Sequence, residues 1–273
     1  WSNEISGVYL KCFNLYVFEL KHEFILDAYQ YLNEIKKIKE IDIALNDNND
    51  YILKIKGISL HVDSKQEVLI ALEVFANEIY GYYLNKESIL IDIGLNVGTT
   101  SLYFASSPYV LKVYGFEPFM KTLSKADINF KLNPELKDKI STFNYGLSDK
   151  NITKDIEYDY KIKGSVSTEF ENKKVINSPS ESIELVEAAP CVKQIIKEHK
   201  EINIICKIDT EGSEFAIIRS LKKHNLLSQI NIFMIEYHFN EPYDIINTLN
   251  ENGFESFVLK TSSDSGMIYS IKK

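Results

Sequence analysis

A glycine-containing segment in the middle of the chain, IDIGLNVGTT, has the residue types of a ligand-binding turn between a strand and a helix. Gly94 and Gly98 would let the backbone turn tightly and let a ligand approach closely. The N-terminus of the helix that follows, predicted over roughly 97–107, would offer unpaired N–H groups to a carboxylate, and Thr99 in its first turn is assigned to the cofactor site. Asp92 would meet an ammonium group, directly or through water, and Asn96 lies between the two glycines. The segment therefore predicts a site for a ligand that carries both an ammonium and a carboxylate.

An acid follows the next predicted strand at the distance expected of a nucleoside site. Glu117 lies in VYGFEP, at the end of the predicted strand, near the offset of roughly 20 residues after the glycine turn at which an acid reaches ribose hydroxyls. Asp149, after the third predicted strand, is expected to accept a hydrogen bond from an adenine amino group. A dinucleotide is disfavoured, because the motif G-x-G-x-x-G has glycine where this chain has Asn96 and Thr99. The combination favours S-adenosylmethionine, in which methionine is joined to a nucleoside.

Three later residues indicate the chemistry of the site. Asp209 ends the predicted strand INIICKID, and Glu236 and His238 lie two apart on the next strand, where they point to the same side. Methyl transfer to a hydroxyl requires alignment of the acceptor oxygen and a base or a metal to activate it. One hypothesis is a Mg²⁺ or Mn²⁺ ion on Asp209, Glu236 and His238, with acceptor hydroxyls completing its coordination shell.

Two alternatives to the metal remain open. His238 would act as a general base without a metal, or else Asp209 would only cap the next helix and His238 would be structural. Glu211 and Glu214 are predicted to stabilise the first turn of that helix through its dipole. The side chains considered for contact with the acceptor are Tyr158, Tyr160, Ser165, Ser167, Tyr237 and Tyr243.

Alternating strands and helices must position these residues. Short continuous apolar runs predict strands buried on both faces of a parallel sheet, and amphipathic stretches between them predict helices. The last two runs alternate in polarity about SSDSG, which predicts an antiparallel pair closing the sheet. The expected fold is α/β, a doubly wound sheet with right-handed crossovers and a C-terminal antiparallel hairpin. The predicted strands are 88–94, 110–118, 139–149, 152–158, 183–188, 202–212, 230–238, 254–260 and 267–273, and the predicted helices are 97–107, 119–132, 191–199 and 214–227.

The first 85 residues have a different pattern and predict an N-terminal extension. Residues 19–40 place apolar side chains at helical spacing, residues 51–62 alternate about a Lys-Gly turn as in a hairpin, and residues 66–80 are again helical. We therefore expect two parts, an extension over 1–85 and a cofactor-binding domain over 86–273. The amphipathic extension could also pack on a partner subunit in a homo-oligomer.

Composition excludes several classes of function. The chain of 273 residues has a net charge of −8 and an apolar content of 45%, and its lysines are scattered, so its surface would repel nucleic acid. No signal peptide or membrane-spanning run is visible. Three cysteines, Cys12, Cys191 and Cys206, match no zinc or redox motif and indicate a reducing compartment. We therefore expect a cytoplasmic protein that acts on a small molecule.

Five segments together resemble a known family. In order and spacing, IDIGLNVGTTSLYFA, GFEP, GLSD, KIDTEGSE and IEYH are similar to the FkbM-type S-adenosylmethionine-dependent methyltransferases, over about residues 66–273. The resemblance implies a class I methyltransferase (Rossmann-like) fold, S-adenosylmethionine as methyl donor, and an oxygen of a small molecule or sugar as acceptor. Leu95 departs from the family, which often has alanine there, and the first 60 residues are less typical. The residues that the resemblance assigns to the cofactor are Asp92, Gly94, Asn96, Gly98 and Glu117.

The leading prediction is O-methylation of a hydroxyl on a sugar or a sugar-derived metabolite, including nucleotide-linked sugars. The acids at the two strand ends are similar in layout to those that hold the ion in metal-dependent catechol O-methyltransferase. The alternative is a cofactor-binding module without catalysis inside a longer polypeptide, which the presence of Asp209, Glu236 and His238 disfavours. A nucleotide-sugar oxidoreductase or epimerase is disfavoured by the missing pyrophosphate loop.

Overall fold

The computed structural model describes residues 7–17, 23–82, 84–157, 180–239 and 241–273. All the residues predicted to bind the cofactor or to act in catalysis lie within these ranges. The predicted acceptor contacts that lie outside the described residues are Tyr158, Tyr160, Ser165 and Ser167.

The N-terminal segment forms short strands and helices. Their bounds are β1 (Val8–Leu10), β2 (Leu15–Val17), α1 (Phe24–Asp27), α2 (Tyr29–Ile38), β3 (Ile41–Leu45), β4 (Tyr51–Ile55), β5 (Ile58–Val62) and α3 (Lys65–Ala71), which continues as a π-helical turn over Leu72–Ala76. The predicted hairpin is confirmed as β4 and β5, and β3 adds a third antiparallel strand that the sequence pattern did not reveal. The predicted helix over 19–40 is divided at Ala28, between α1 and α2.

The rest of the chain alternates strands with helices. The bounds are β6 (Ser88–Ile93), α4 (Thr99–Ala105), β7 (Val110–Phe116), α5 (Met120–Lys131), α6 (Pro134–Lys137), β8 (Ile140–Phe143), β9 (Gly146–Ser148), β10 (Ile152–Glu157), β11 (Ser180–Glu187), α7 (Ala188–Glu198), β12 (Asn203–Ile208), α8 (Glu214–Lys223), β13 (Ile232–His238), α9 (Tyr243–Glu251), β14 (Phe254–Lys260) and β15 (Ser265–Lys272). Helix α9 was not predicted from the sequence.

A seven-stranded sheet with the order β14-β15-β13-β12-β6-β7-β8 lies at the centre of the molecule. Strands β8, β7, β6, β12 and β13 run parallel, and β15 is antiparallel to both of its neighbours. The predicted doubly wound α/β sheet and its C-terminal antiparallel hairpin are therefore confirmed.

The order of the strands reverses between β6 and β12, which lie side by side at the centre of the sheet. From β6 the chain continues outward to β7 and β8, whereas from β12 it continues to β13 on the other side. Ligands of open α/β sheets bind in the crevice at such a point, beyond the carboxyl ends of the strands. The fold thus brings the glycine turn after β6 next to Asp209, which follows β12.

The prediction of one continuous strand over 139–149 is wrong, because the structure has two strands there. Strand β8 ends at Phe143, and β9 leaves the main sheet to pair in parallel with β11, in a small sheet of order β10-β11-β9. The Asn144 side chain donates hydrogen bonds to the carbonyl oxygens of Glu117 and Pro118, at 3.0 and 3.1 Å. These contacts fix the break between β8 and β9, and an apolar pattern along the chain does not reveal them.

The N-terminal segment shares an apolar core with the central sheet. Leu53 and Phe75 of the segment are fully buried in the same cluster as Leu90 of β6 and Ile205 of β12. Helices α7 and α8 pack in a second cluster with the other side chains of the sheet. The segment therefore covers one face of the sheet. Within the described residues, no helix is both long enough and apolar enough to cross a membrane.

Candidate functional site

The loop between β6 and α4 contains three residues in the left-handed region of backbone space. They are Gly94 (φ 83°), Asn96 (φ 52°) and Gly98 (φ 80°). A Cβ on Gly94 would lie 1.7 Å from the carbonyl oxygen of Asp209, and a Cβ on Gly98 would lie 2.6 Å from the Phe130 ring. Both glycines are therefore required by close packing of the protein on itself, whereas the sequence suggested room for a ligand.

A cavity of about 660 Å³, the first cavity, opens beside this loop. Gly94, Asn96 and Glu117, three of the predicted cofactor residues, line it together with Asp209. Its apolar lining residues are Ile93, Phe116, Pro118, Phe119, Leu147 and Leu185. A pocket with an apolar wall and a few convergent polar groups is typical of a small-molecule or cofactor site.

Glu117 is buried just beyond β7 and holds the loop in place. Its Oε2 accepts a hydrogen bond from the backbone N–H of Asn96 at 2.9 Å, and its Oε1 accepts one from the N–H of Phe119 at 3.0 Å. Burial raises the pKa of Glu117 to about 7, although both hydrogen bonds act in the opposite direction. Glu117 therefore has a structural role in addition to the ligand contact predicted for it.

Asn96 carries a polar atom that points to a ligand. Its side-chain oxygen Oδ1 is buried and has no hydrogen-bond partner among the described residues. Buried polar atoms without partners are rare in folded proteins, and a bound donor group would satisfy this one. The orphan acceptor lies in the loop that lines the first cavity, so the residues present fit a ligand that carries an ammonium or amino group.

A second cavity, of about 380 Å³, lies against the π-helical turn of the N-terminal segment. Gly94, Asn96 and Asp209 line both cavities, so the two meet at the same loop. Glu73 of the π-helical turn and Glu236 of β13 line the second cavity. Its other polar lining residues are Tyr80, Thr99, Thr100 and Lys207. Thr99, predicted to bind the cofactor, therefore faces the second cavity.

Carboxylates dominate the second cavity. Burial, followed by the charge of Asp209, raises the pKa of Glu73 to about 7 and that of Glu236 to about 8. The hydroxyl of Tyr80 donates to Oδ2 of Asp209 at 3.3 Å, and burial together with that charge raises the pKa of Tyr80 well above its usual value. The cavity thus offers hydrogen-bond acceptors whose proton affinity is higher than that of ordinary carboxylates.

Lys207 is a buried residue of the candidate site that the sequence analysis missed. Its side chain is buried, and its Nζ donates to the carbonyl oxygen of Gly94 at 2.6 Å. The same Nζ lies 3.1 Å from Oδ1 of Asp92 and 3.7 Å from Oδ2 of Asp209. Burial lowers the pKa of Lys207, but the charges of Asp92 and Asp209 outweigh burial and raise it. Lys207 therefore joins the glycine loop to the end of β12 across the switch point.

The sequence contained a signal for this pair. A lysine inside the apolar run INIICKID must have a counter-charge if the strand is buried on both faces. The register aligns Lys207 with Asp92 on the adjacent strand β6. Asp92 is fully buried, and Ser101 donates to its second oxygen at 2.6 Å. Asp92 is fully buried and lines neither of the two cavities, so its position gives no support to the expected contact with a ligand ammonium.

His238 lies among acids at the end of β13. Its Nδ1 is 3.1 Å from Oε1 of Glu214, and its Nε2 is 3.6 Å from Glu211 and 3.7 Å from Glu236. Burial disfavours the charged imidazole, but the hydrogen bond from His238 to Glu214 and the charges of Glu211 and Asp209 raise its pKa to about 10. His238 is therefore an imidazolium at neutral pH, a state that cannot accept a proton from an acceptor.

The sequence predicted that Glu211 and Glu214 both stabilise the first turn of α8. In the structure only Glu214 lies in that turn. The buried carboxylate of Glu214 accepts hydrogen bonds from the N–H groups of Thr210 and Gly212, at 3.1 and 3.0 Å. Glu211 instead lies in the turn before α8 with a φ of 54° and faces His238. Burial raises the pKa of Glu211 to about 8.

Among the described residues, the three side chains that are close enough together to bind one metal ion are not the three predicted from the sequence. Asp209, Glu211 and His238 can place one ligand atom each within 4.8 Å of one another. Glu236, the third predicted ligand, lies beside His238 but is not part of that compact group. The fold therefore brings the three predicted catalytic residues together, and it adds Glu211 to them.

Asp149 lies apart from the other predicted cofactor residues. Its carboxylate forms an exposed ion pair with Arg219 at 3.0 Å, in a separate surface cavity. The adenine contact expected of Asp149 is therefore not supported by its position. Tyr237 is buried in the sheet and Tyr243 is exposed, and neither lines the two cavities at the loop.

Comparison with known proteins gives a family match over most of the sheet. The sequence model of the methyltransferase FkbM domain matches residues 92–256 of the chain. An 81-residue stretch is 32% identical to the AMB antimetabolite synthetase AmbE of Pseudomonas aeruginosa, and it covers 28% of this chain and 4% of AmbE. The chain thus matches only a small part of that synthetase.

Several solved structures are similar to this chain in fold, with low sequence identity. The methyltransferase FkbM of Methylobacillus flagellatus KT is similar over 90% of this chain and 59% of that chain, with 12% identity and a TM-score of 0.44. TrmK of M. capricolum, in complex with S-adenosylhomocysteine, is similar over 72% of this chain and 66% of that chain, with 14% identity and a TM-score of 0.41. At this level of similarity, the roles of residues in those proteins cannot be assigned to residues of this chain.

Proposed function

The chain belongs to the FkbM methyltransferase family, and on that premise we propose that it transfers a methyl group from S-adenosylmethionine to a hydroxyl of a small acceptor. One observation carries the proposal: two cavities meet at Gly94, Asn96 and Asp209. A donor in the first cavity and an acceptor in the second would lie on the two sides of that junction. Such an arrangement supplies the alignment that an in-line transfer requires.

The residues of the first cavity would hold the cofactor. Glu117 would accept hydrogen bonds from ribose hydroxyls, and the orphan oxygen of Asn96 would accept one from a nitrogen donor. Bound there, the cofactor supplies an electrophilic methyl group on a sulfonium. Asp209 lies at the junction and presents a carboxylate to that positive charge.

Glu236 is the best-placed general base for the acceptor hydroxyl. It lines the second cavity, and its raised pKa of about 8 brings it near the working pH, where a base is most effective. His238 was an alternative base in the sequence analysis, but the acids around it hold its proton. We assign to His238 the positioning of Glu236, whose Oε1 lies 3.7 Å from its Nε2.

A metal-assisted version has a specific observation in its favour. Glu214 accepts a hydrogen bond from Nδ1 of His238, which leaves Nε2 directed toward Glu211 and Glu236. A carboxylate that orients a metal-binding imidazole in this way is common in metal sites. In this version Asp209, Glu211 and His238 would hold Mg²⁺ or Mn²⁺, and the ion would lower the pKa of the acceptor hydroxyl.

Titration with Mn²⁺ distinguishes the two versions. If a metal is bound, Mn²⁺ raises the Tm and the rate of methylation, and both increments disappear in Glu211→Gln. Activity that survives thorough chelation and is not raised by Mn²⁺ or Mg²⁺ would leave Glu236 as the base without a metal. Glu40→Gln, at an exposed position of the N-terminal segment, is the matched control.

The class of acceptor follows from the resemblance to the family, which implies a sugar or a sugar-derived metabolite, including nucleotide-linked sugars. Calorimetry with S-adenosylhomocysteine and with NAD tests the cofactor half of the proposal, because a dinucleotide enzyme would bind NAD instead. A screen of hydroxylated nucleotide sugars, with and without Mn²⁺, tests the acceptor half. Binding of S-adenosylhomocysteine without methylation of any sugar would favour a cofactor-binding module of a longer polypeptide.

A further inference from the structure

We propose that the second cavity is the acceptor site and that Glu73 is an acceptor-binding residue. Glu73 would accept a hydrogen bond from an uncharged polyhydroxyl end of the acceptor and would exclude anionic groups from that end. The inference rests on the proposed function, because it assumes that the cofactor occupies the first cavity. It goes further in assigning part of the acceptor site to the N-terminal segment.

The π-helical turn aims Glu73 into the cavity. Over Leu72–Ala76 the helix widens, and the N–H of Asn77 donates to the carbonyl oxygen of Leu72 at 2.9 Å, five residues earlier. Such turns insert one extra residue into a helix and often occur at functional sites. The widened turn buries Val74 and Phe75 in the core and leaves Glu73 among the residues that line the second cavity.

Packing keeps the turn in position. Phe75 is fully buried and meets the ring of Tyr103 on α4 edge to face, with 5.5 Å between the ring centroids. The N–H of Ile79 donates to the carbonyl oxygen of Glu73 at 3.1 Å, which fixes the chain after the turn. Glu73 is thus supported by the core beneath it and is presented on a rigid wall of the cavity.

The charges around the cavity select the kind of acceptor that fits. Among the described residues Lys207 is the one cation that lines the cavity, and its Nζ already lies between Asp92 and Asp209. Glu73 makes no ion pair with another described residue, and Glu236 faces the same space. Hydroxyl groups donate hydrogen bonds to carboxylates without adding negative charge, whereas a phosphate or a uronate would meet like charges. If the acceptor is nucleotide-linked, its phosphates must lie outside this cavity.

Calorimetry at pH 8.5 in the presence of saturating S-adenosylhomocysteine tests the proposal, because this pH lies above the pKa of Glu73, about 7, and that of Glu236, about 8, so that both side chains are mainly carboxylates. The probes are methyl glucoside, which is neutral, and methyl glucuronide, which has the same ring with a carboxylate. We expect the wild type to bind the glucoside at least 10-fold more tightly than the glucuronide. In Glu73→Gln the glucoside should bind at least 5-fold more weakly and the difference between the probes should narrow.

A second variant separates the hydrogen bond from the charge. Glu73→Asp keeps the negative charge but shortens the side chain, so the glucoside should bind more weakly while the glucuronide remains excluded. Glu40→Gln, at an exposed position that does not line the cavity, is the control and should change neither affinity. The Tm of each variant is compared with that of the wild type to exclude loss of folding.

Three results would overturn the proposal: no measurable binding of the glucoside, equal binding of the two probes by the wild type, or unchanged glucoside affinity in Glu73→Gln. In each of these cases binding of S-adenosylhomocysteine would still be observed. Absence of S-adenosylhomocysteine binding in the wild type would instead contradict the proposed function itself. The failure of the two proposals is therefore distinguishable in one set of titrations.

Discussion

The two cavities share one loop but are built in different ways. The polar edge of the first cavity comes from consecutive backbone of the loop after β6 and from Glu117, whose oxygens hold two N–H groups of the chain. The second cavity is walled by Glu73, Asp209 and Glu236, which lie on elements far apart in sequence. The difference matches the proposed roles of the two cavities, which are a constant cofactor in the first and an acceptor that supplies hydrogen-bond donors in the second.

Among the variants that test the different roles of the two cavities, Glu236→Gln is expected to have the largest effect, a loss of kcat. If Glu236 is the base of the second cavity, kcat should fall by about 10²–10⁴-fold, the contribution typical of a general base. The affinity for S-adenosylhomocysteine should stay within about 3-fold, since Glu236 does not line the first cavity. Steady-state kinetics with an acceptor from the sugar screen, together with calorimetry, measures both quantities.

The matched control for that variant is Glu241→Gln, an exposed acid shortly after β13. Equal losses of kcat in both variants would show that any loss of charge near the end of β13 lowers kcat, and Glu236 would then not be the specific base. A large loss of S-adenosylhomocysteine affinity in Glu236→Gln would break the division of roles between the two cavities.

The converse variant, Glu117→Gln, should act on the first cavity alone. A hydrogen bond to a charged group contributes about 1.5–3 kcal/mol, so S-adenosylhomocysteine should bind about 10–100-fold more weakly. The KM for the acceptor should change little. Because Glu117 also accepts hydrogen bonds from Asn96 and Phe119, the Tm must be measured alongside. An unchanged cofactor affinity would remove Glu117 from the site.

The acids of both cavities should make the stability of the protein depend on pH. The folded-state pKa values of Glu73, Glu117, Glu211 and Glu236 are raised to about 7, 7, 8 and 8. Between pH 5 and 8 the folded state therefore binds more protons than the unfolded state, so the free energy of unfolding falls as pH rises. His238, with a pKa raised to about 10, acts in the same direction above pH 6.5.

We expect the Tm to fall by about 5 °C or more between pH 6 and pH 9, since 1 kcal/mol shifts the Tm of a chain of this size by roughly 2–4 °C. Differential scanning calorimetry measures the slope. Glu236→Gln should flatten it, whereas Glu40→Gln should leave it unchanged. A Tm that rises over this interval would show that the acids are stabilised in their charged form by a partner such as a bound cation.

The smallest effect is expected from Asp149→Asn. Asp149 forms a partly exposed pair with Arg219 away from both cavities, and such pairs contribute about 0–1 kcal/mol. The variant should therefore shift the Tm by no more than about 2 °C and leave the affinity for S-adenosylhomocysteine unchanged. A clear loss of affinity for S-adenosylhomocysteine would instead support the adenine contact predicted for Asp149 from the sequence, and Asp149 would then belong to the cofactor site.

Local patterns were sufficient to predict the sheet. The continuous apolar runs of β6 and β12 and the alternating pair at the C-terminus correspond to the strands found in the structure, and with the family match they confirm the class I methyltransferase fold. The glycine loop and Glu117 lie next to each other as expected, because they follow adjacent parallel strands, whereas their contact with the cofactor stays a prediction. The division of 139–149 was not predictable, because it depends on tertiary hydrogen bonds of Asn144.

The acid-walled cavity could not be predicted for a related reason. Glu73 lies in a stretch whose helical period looked regular, and nothing in that period shows the widened turn that directs its side chain. Glu211 was assigned to the helix that follows, but a backbone with positive φ turns it toward His238. The division between N-terminal extension and cofactor-binding domain at residues 85 and 86 stays a prediction, although the two parts share a core.

The buried pair of Lys207 and Asp92 has a consequence for how this sequence can diverge. Loss of either partner would strand an uncompensated charge in the sheet, at a cost of about 3–5 kcal/mol. A neutral replacement is therefore tolerable only if both positions change together, and the intermediate with one change is selected against. We expect lineages that descend from a common ancestor with this chain to keep both residues or to have exchanged both, which makes the pair a covarying unit rather than two independent sites.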